Sequence, residues 1–293
     1  MQSKGLIKIK LILEYFIIYV IYKFTSILPI NQVANFGGFL FKFIGPLTKT
    51  QKIVRKNYLQ IFPNTNEVKI LKESKLSWLS IGKTFFELLI LPRIIADKSK
   101  INVEGKNNIA NIINNNEQVI FVGIHESNWE IVLPTIDKLE IGVGGIYRHI
   151  NNPYIDKLIL NIRKKSLFSN KSFYTPKGKQ SAKDVISGIK KGLSLFLLVD
   201  QKDSAGELIP FFNKPSKTQI GFLKLARKYN MKIIPVRNLR NKNNDFTVKF
   251  YPPLKNISKN FSDIETMRII HLMIEGWIKD CPSSWFLQHN RFS

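Results

Sequence analysis

Cysteine occurs once in the 293 residues, as Cys281, so the chain has no means of building an internal disulfide, a cysteine-rich zinc site or a redox Cys-x-x-Cys pair. Such thrift with thiols suits a reducing compartment. Acidic residues are also few, 21 against 45 lysines and arginines, and the resulting formal charge of +24 requires a negatively charged partner: nucleic acid, anionic lipid, or an acidic protein or substrate. Arginine is scarce, nine residues beside 36 lysines, so each arginine is informative by itself. Low-complexity tracts and internal repeats are missing, and 44% hydrophobic against 23% charged residues excludes a disordered chain. No Walker loop, G-x-S-x-G elbow or G-x-G-x-x-G turn is present. His-Glu-x-x-His fails at Trp129, and the zinc deaminase pattern fails for want of cysteines, so neither a metal nor a cofactor is expected.

A clean membrane-spanning run is lacking too. Leu11 to Ile30 is mostly apolar but carries Glu14 and Lys23, and Lys4, Lys8 and Lys10 precede it. Each charge costs about 2.5 to 3.5 kcal/mol at a bilayer centre, which makes the segment a weak span or a strong interfacial anchor. No small-residue cleavage pattern follows it, so it does not read as a signal peptide. Lys42, Lys49, Lys52, Arg55 and Lys56 lie beyond it and place the main body on the cytoplasmic side if the segment spans.

Three regions follow: an anchor over residues 1–30, a helical lead-in over 31–100 punctuated by prolines, and an α/β core over 101–293 with a C-terminal helix and tail. In the core, short apolar runs at Gln118–Ile124, Ile141–Tyr147, Ser194–Asp200, Met231–Asn238 and Phe246–Tyr251 read as strands. Ser127–Leu139, Tyr154–Lys164, Gln180–Lys191, Thr218–Tyr229 and about Asp263–Lys279 read as helices. This alternation predicts an α/β fold, a mainly parallel mixed sheet flanked by helices.

Candidate chemistry gathers where those strands end, the position of active sites in open α/β sheets. His125 follows a buried-looking strand, and Glu130 lies five residues on. Across a strand-to-helix turn, a carboxylate there can fix the imidazole tautomer and leave its other nitrogen to accept a proton, a general-base dyad. Ser127 to Glu130 equally fits an S-x-x-E capping box, in which Glu130 merely completes a helix start. Tyr147 and Arg148 end the next strand, where the arginine suits a phosphate or a developing oxyanion. Asp200 and Gln201 end a third, which also fits an Asp turn. Phe211 and Phe212 offer aromatic surface for an acyl chain or for core packing. His289 and Arg291 lie in an aromatic and basic tail, while His149 and His271 read as structural.

His125 to Glu130 resembles the H-x4-D/E signature of glycerolipid-type acyltransferases. The ordered set resembles the lipid A biosynthesis lauroyl/myristoyl acyltransferase family over nearly the full chain: Tyr147-Arg148 with Asn152-Pro153-Tyr154, Asp200-Gln201, Pro210-Phe211-Phe212, Lys214-Pro215, Thr218, Gly221, Ile234-Pro235-Val236 and Trp285 to Phe292. The resemblance implies a glycerolipid acyltransferase-like fold with a membrane-anchoring helix at the cytoplasmic face of a bacterial inner membrane. The implied reaction moves a fatty acyl group from acyl carrier protein to a hydroxyl of an anionic glycolipid, a Kdo-bearing lipid A precursor. His125 is then the base, Glu130 orients it, and Arg148 handles an anionic group. Asn128, Tyr147, Asp200, Gln201, Phe211, Phe212, His289 and Arg291 are implied in substrate binding. Two positions depart from the pattern: Glu126-Ser127, where relatives commonly carry an aromatic and a glycine, and Asn290, where a second arginine is usual. Lyso-ornithine lipids, lysophospholipids and mannosylated lipids are alternative acceptors for the same chemistry. A non-enzymatic basic binder is the alternative of another class, and nucleic acid is not expected because the lysines are dispersed rather than concentrated among stacking aromatics.

Overall fold

The alternation of apolar runs and amphipathic stretches beyond residue 100 builds the expected sheet. The computed structural model describes residues 4–255 and 261–292, so the first three residues of the expected anchor and Ser293 lie outside the described residues. Seven strands, β1 (Ile101–Glu104), β2 (Val119–Gly123), β3 (Val143–Tyr147), β4 (Phe173–Pro176), β5 (Ser194–Leu198), β8 (Lys232–Arg240) and β9 (Phe246–Phe250), pair in the order β1-β9-β8-β2-β5-β3-β4. Within this sheet, among the described residues, only the β8–β9 pairing is antiparallel. A separate hairpin joins β6 (Glu207–Phe211) to β7 (Lys214–Thr218).

Helices cover both faces, as parallel strands require. The lead-in comprises α1 (Lys4–Ile27), α2 (Ile30–Ile44), α3 (Gln51–Ile61), α4 (Glu67–Leu89) and α5 (Leu91–Ala96). Within the core lie α6 (Ala110–Asn114), α7 (Val132–Lys138), α8 (Pro153–Lys165), α9 (Lys179–Lys190), α10 (Gly221–Lys228) and α11 (Asp263–Asp280). Successive residues of β2 alternate between two apolar clusters. Ile120 and Val122 join Tyr58, Ile81, Leu223 and Ile270 on one side. Val119 and Phe121 join Ile94, Ile136 and Ile159 on the other. Each fully buried side chain of this size contributes about 1.5 to 3 kcal/mol, so the central strand is held from both faces.

The structure adds three strand features that sequence periodicity does not show. β1 and β4 have four residues each, too few to display a period. The hairpin contains the polar run Lys-Pro-Ser-Lys-Thr, and its turn residues Phe212 and Asn213 both have positive φ, 49° and 59°. That backbone is characteristic of a two-residue hairpin turn. The helix expected from Thr218 therefore starts at Gly221, because Thr218 still belongs to β7. The expected anchor is helical as α1, yet among the described residues no helix is long and apolar enough to cross a membrane.

In the lead-in, α2 and α4 approach through facing glycines. A Cβ on Gly82 would lie 2.3 Å from the Gly37 carbonyl oxygen. Gly276, on the exposed side of α11, has open space around its Cα. Gly82→Ala is therefore expected to destabilise the protein by about 1 to 3 kcal/mol through overpacking. Gly276→Ala should stabilise it by about 0.5 to 1 kcal/mol through helix propensity. Thermal unfolding in detergent reads both, and shifts of the same sign would refute the close-packing account.

Candidate active site

Parallel pairing of β2 with β5 sets Gly123 opposite Leu198, so His125 and Asp200, each two residues further on, leave the sheet side by side. His125 Nδ1 lies 2.7 Å from Asp200 Oδ1, and the His125 backbone N–H donates to Oδ2 at 3.0 Å. Trp285 Nε1–H donates to the same Oδ2 at 2.7 Å. An ionised carboxylate only accepts, so Nδ1 carries the proton and the lone pair of the neutral imidazole sits on Nε2. Burial pushes the Asp200 carboxyl up, but its electrostatic interaction with His125 and the hydrogen bonds from His125 and Trp285 outweigh it and hold the pKa below the ordinary range. Trp129 and Phe286 flank the imidazole, with ring centroids 5.0 and 6.1 Å away.

Glu130 is not the partner of His125. A short 3-10 turn begins at Trp129, which puts the indole against His125 and turns Glu130 toward α8. There Arg163 Nε and Nη2 grip both carboxylate oxygens, at 2.8 and 2.6 Å. No capping box forms either, since Ser127 has a positive φ of 51° and no side-chain cap bond opens the turn. The left-handed backbone at Ser127 accounts for glycine at this position in the pattern that the chain resembles. A serine is held there by its N–H on the Ser284 carbonyl oxygen (2.9 Å) and its carbonyl under the Thr84 hydroxyl (2.6 Å).

The other side chains of this loop are bound to other elements. Glu126 is buried in a bidentate pair with Arg237, at 2.7 and 2.8 Å. Asn128 Nδ2 donates to Glu87 at 3.0 Å, and Arg240 pairs with both oxygens of that same carboxylate. Arg163, Arg237, Arg240 and Glu87 were not among the site residues expected from the sequence. Arginine scarcity was the available signal: Arg163, Arg237 and Arg240, three of the nine, each grip one largely inaccessible carboxylate through two nitrogens, a task for which lysine lacks the geometry.

The remaining expected residues divide. Asp200 belongs to the centre, as the histidine's partner rather than as a substrate contact. Arg148 is exposed just past the carboxyl end of β3, and its charge is felt at His289. Tyr147 is buried, with the Arg163 guanidinium over its ring at 5.4 Å. Gln201 is half-buried beside Asp200. His289 Nε2 accepts the Lys202 N–H at 3.1 Å, and burial, with help from neighbouring cations, pushes its pKa down to about 4. Asn128, Phe211, Phe212 and Arg291 are interior. Phe211 stacks on Phe292, and the turn at Phe212 is fixed by Glu275 accepting its N–H and Gln60 donating to its carbonyl. Both rings are therefore core packing rather than an open acyl surface. Arg291 is wholly buried, donating to the Lys217 carbonyl and the Thr218 hydroxyl, so it is a tail anchor and not a phosphate contact.

His271 lies beside that anchor, its Nδ1–H on the Pro210 carbonyl oxygen at 2.8 Å, and burial pushes its pKa down to about 4. An unfolded histidine titrates near 6.5, so between those values the unfolded chain takes up a proton that the fold excludes. This contribution to stability is complete above about pH 6.5 and declines as pH falls to about 4, by up to roughly 3 kcal/mol. His271→Gln should flatten that part of the profile, leaving the share that His289 adds. Urea unfolding across the window checks it, and an unchanged slope would remove His271 as its source.

A strand-end histidine backed by a buried carboxylate, with no protein hydrogen bond on its Nε2 among the described residues, is equipped to remove a proton from a hydroxyl. No curated protein matches the chain. The family model described as bacterial lipid A biosynthesis acyltransferase matches residues 4–293, and the chain belongs to that family.

Proposed function

We propose that the protein transfers a fatty acyl group from acyl carrier protein to a hydroxyl of a Kdo-bearing lipid A precursor at the cytoplasmic face of the inner membrane. The observation that carries the chemistry is the His125–Asp200 pair at the ends of adjacent parallel strands, within a chain of this acyltransferase family. His125 Nε2 takes the proton of the acceptor hydroxyl while its oxygen attacks the thioester carbonyl carbon. Asp200 holds the Nδ1–H tautomer and stabilises the imidazolium that forms. As the tetrahedral intermediate collapses, the carbon–sulfur bond breaks and the proton passes from Nε2 to the departing sulfur. A thioester is already activated, so direct attack needs no nucleophile from the enzyme. Exposed Arg148 is placed to meet an anionic group of a substrate or the developing oxyanion. Glu130 is a positioning residue: it fixes Arg163 and the loop that presents His125. The excess of cations favours an acidic carrier protein and an anionic acceptor.

His125→Ala should abolish acyl transfer from acyl carrier protein to the lipid acceptor, read by mass spectrometry on purified enzyme. Asp200→Asn should lower kcat by orders of magnitude, because the acceptor that fixes the Nδ1–H tautomer and the charge that stabilises the forming imidazolium are gone. Glu130→Gln should lower kcat far less than Asp200→Asn and lower the unfolding midpoint, since Arg163 keeps a nearly buried, uncompensated charge. A folded His125→Ala protein with near wild-type turnover would refute the mechanism, and transfer only to a different lipid would reassign the acceptor.

A further inference from the structure

The helix expected as an anchor is tied to the folded body from Leu11 onward. About two turns in, Asn152 at the head of α8 donates to the Leu11 carbonyl oxygen at 2.8 Å and to the Glu14 carboxylate at 3.1 Å. Near its end, Arg93 of α5 donates to the carbonyl oxygens of Thr25, Ser26 and Leu28, at 3.1, 2.9 and 2.9 Å. Leu11 to Leu28 covers about 26 Å of helix, close to the thickness of a bilayer's hydrocarbon. A helix bonded to the body at both ends of that length lies along the body. For α1 to thread the bilayer, either Asn152 and Arg93 would enter hydrocarbon with it, or its contacts with them would break.

The outward side of α1 is nevertheless apolar. Ile9, Leu13, Phe16, Val20, Phe24 and Ile27 recur every three or four residues, and all are exposed. After the Leu28-Pro29 joint, α2 does the same. Its inward face is locked on α4 through Gly37 and Gly82, while Phe36, Phe39 and Phe43 are exposed and Leu47 follows them. The surrounding charge is one-sided: residues 1–66 contain eight lysines and Arg55 but a single acidic residue, Glu14. That carboxylate is already bonded to Asn152 and paired with Lys10 at 3.9 Å. A second copy of the chain seated on this face would bring like charges together, whereas an anionic lipid surface supplies both apolar depth and the opposite charge.

We propose that the outer faces of α1 and α2 together bed into the headgroup and upper acyl region of an anionic leaflet, so that the protein is monotopic and two helices, not one, hold it there. This rests on the membrane siting proposed above and is independent of the reaction.

Depth measurement tests it. In the full chain carrying Cys281→Ser, single substitutions Val20→Cys, Phe39→Cys and Lys190→Cys are labelled with an environment-sensitive fluorophore, and the protein is bound to vesicles of phosphatidylethanolamine and phosphatidylglycerol. Nitroxide lipids labelled near the headgroup should quench positions 20 and 39 several-fold more than lipids labelled at the chain end, and position 190 not at all. In sealed vesicles, Lys8→Cys should react with a membrane-impermeant thiol reagent from the same side as Lys190→Cys. Strongest quenching of position 20 by the chain-end nitroxide, with Lys8→Cys protected, would establish a spanning helix and overturn the proposal. An unquenched position 39, or lipid-independent crosslinking of Phe39→Cys between two copies, would overturn the role of α2. None of these readings needs an acyl donor, so failure here and failure of the proposed reaction are distinguishable.

Discussion

A carboxylate with almost no contact with water keeps its charge only where donors surround it, and Asp200 is such a group. Its oxygens take the His125 backbone N–H, the His125 ring and the Trp285 indole N–H. Those donors come from the end of β2 and from the last ten residues of the chain, so one buried charge joins two adjacent strands to the C-terminal tail. The tail returns the connection, because the Phe286 N–H donates to the His125 carbonyl oxygen at 2.9 Å. Folding of the sheet and completion of the centre are thus coupled through a single side chain.

The loop after β2 is irregular backbone in a buried place, where unpaired polar groups are costly. Its solution is distribution: His125 to β5, Glu126 to β8, the Ser127 carbonyl to α4, Asn128 to α4 and Glu130 to α8. Buried ion pairs add little net stability compared with apolar packing, but loss of one partner costs about 3 to 5 kcal/mol. The pairs with Arg237 and Arg163 therefore restrict the loop to an arrangement in which the Nε2 side of His125 is left for other chemistry.

This use of acids in the interior sharpens the character of the surface. Glu87, Glu126, Asp137 and Asp200 are all nearly inaccessible, and Asp137 alone collects the Phe168 and Ser169 N–H groups and the hydroxyls of Ser169 and Ser172. Glu87 and Glu126 neutralise Arg240 and Arg237 in the interior, and Asp137 and Asp200 are held there by hydrogen bonds, so the charge presented outside is set chiefly by the 36 lysines. A field of one sign beside an exposed apolar face is the combination by which interfacial helices hold anionic membranes.

Local pattern in the chain determined the alternation of strands and helices, the burial of β2, the strand-end position of His125 and Asp200, and the family signature, because each rests on neighbours in sequence or on periods of two and 3.6 residues. Tertiary structure alone decided which carboxylate serves His125. Glu130 is five residues away and Asp200 seventy-five, yet strand register brings the distant one alongside, while a 3-10 turn swings the near one to Arg163. Likewise, nothing local distinguishes an aromatic pair that packs from one that receives an acyl chain, and the fold assigned Phe211 and Phe212 to the core. Sequence distance carries no record of register, and register is what turned a strand-end aspartate into the partner of the histidine.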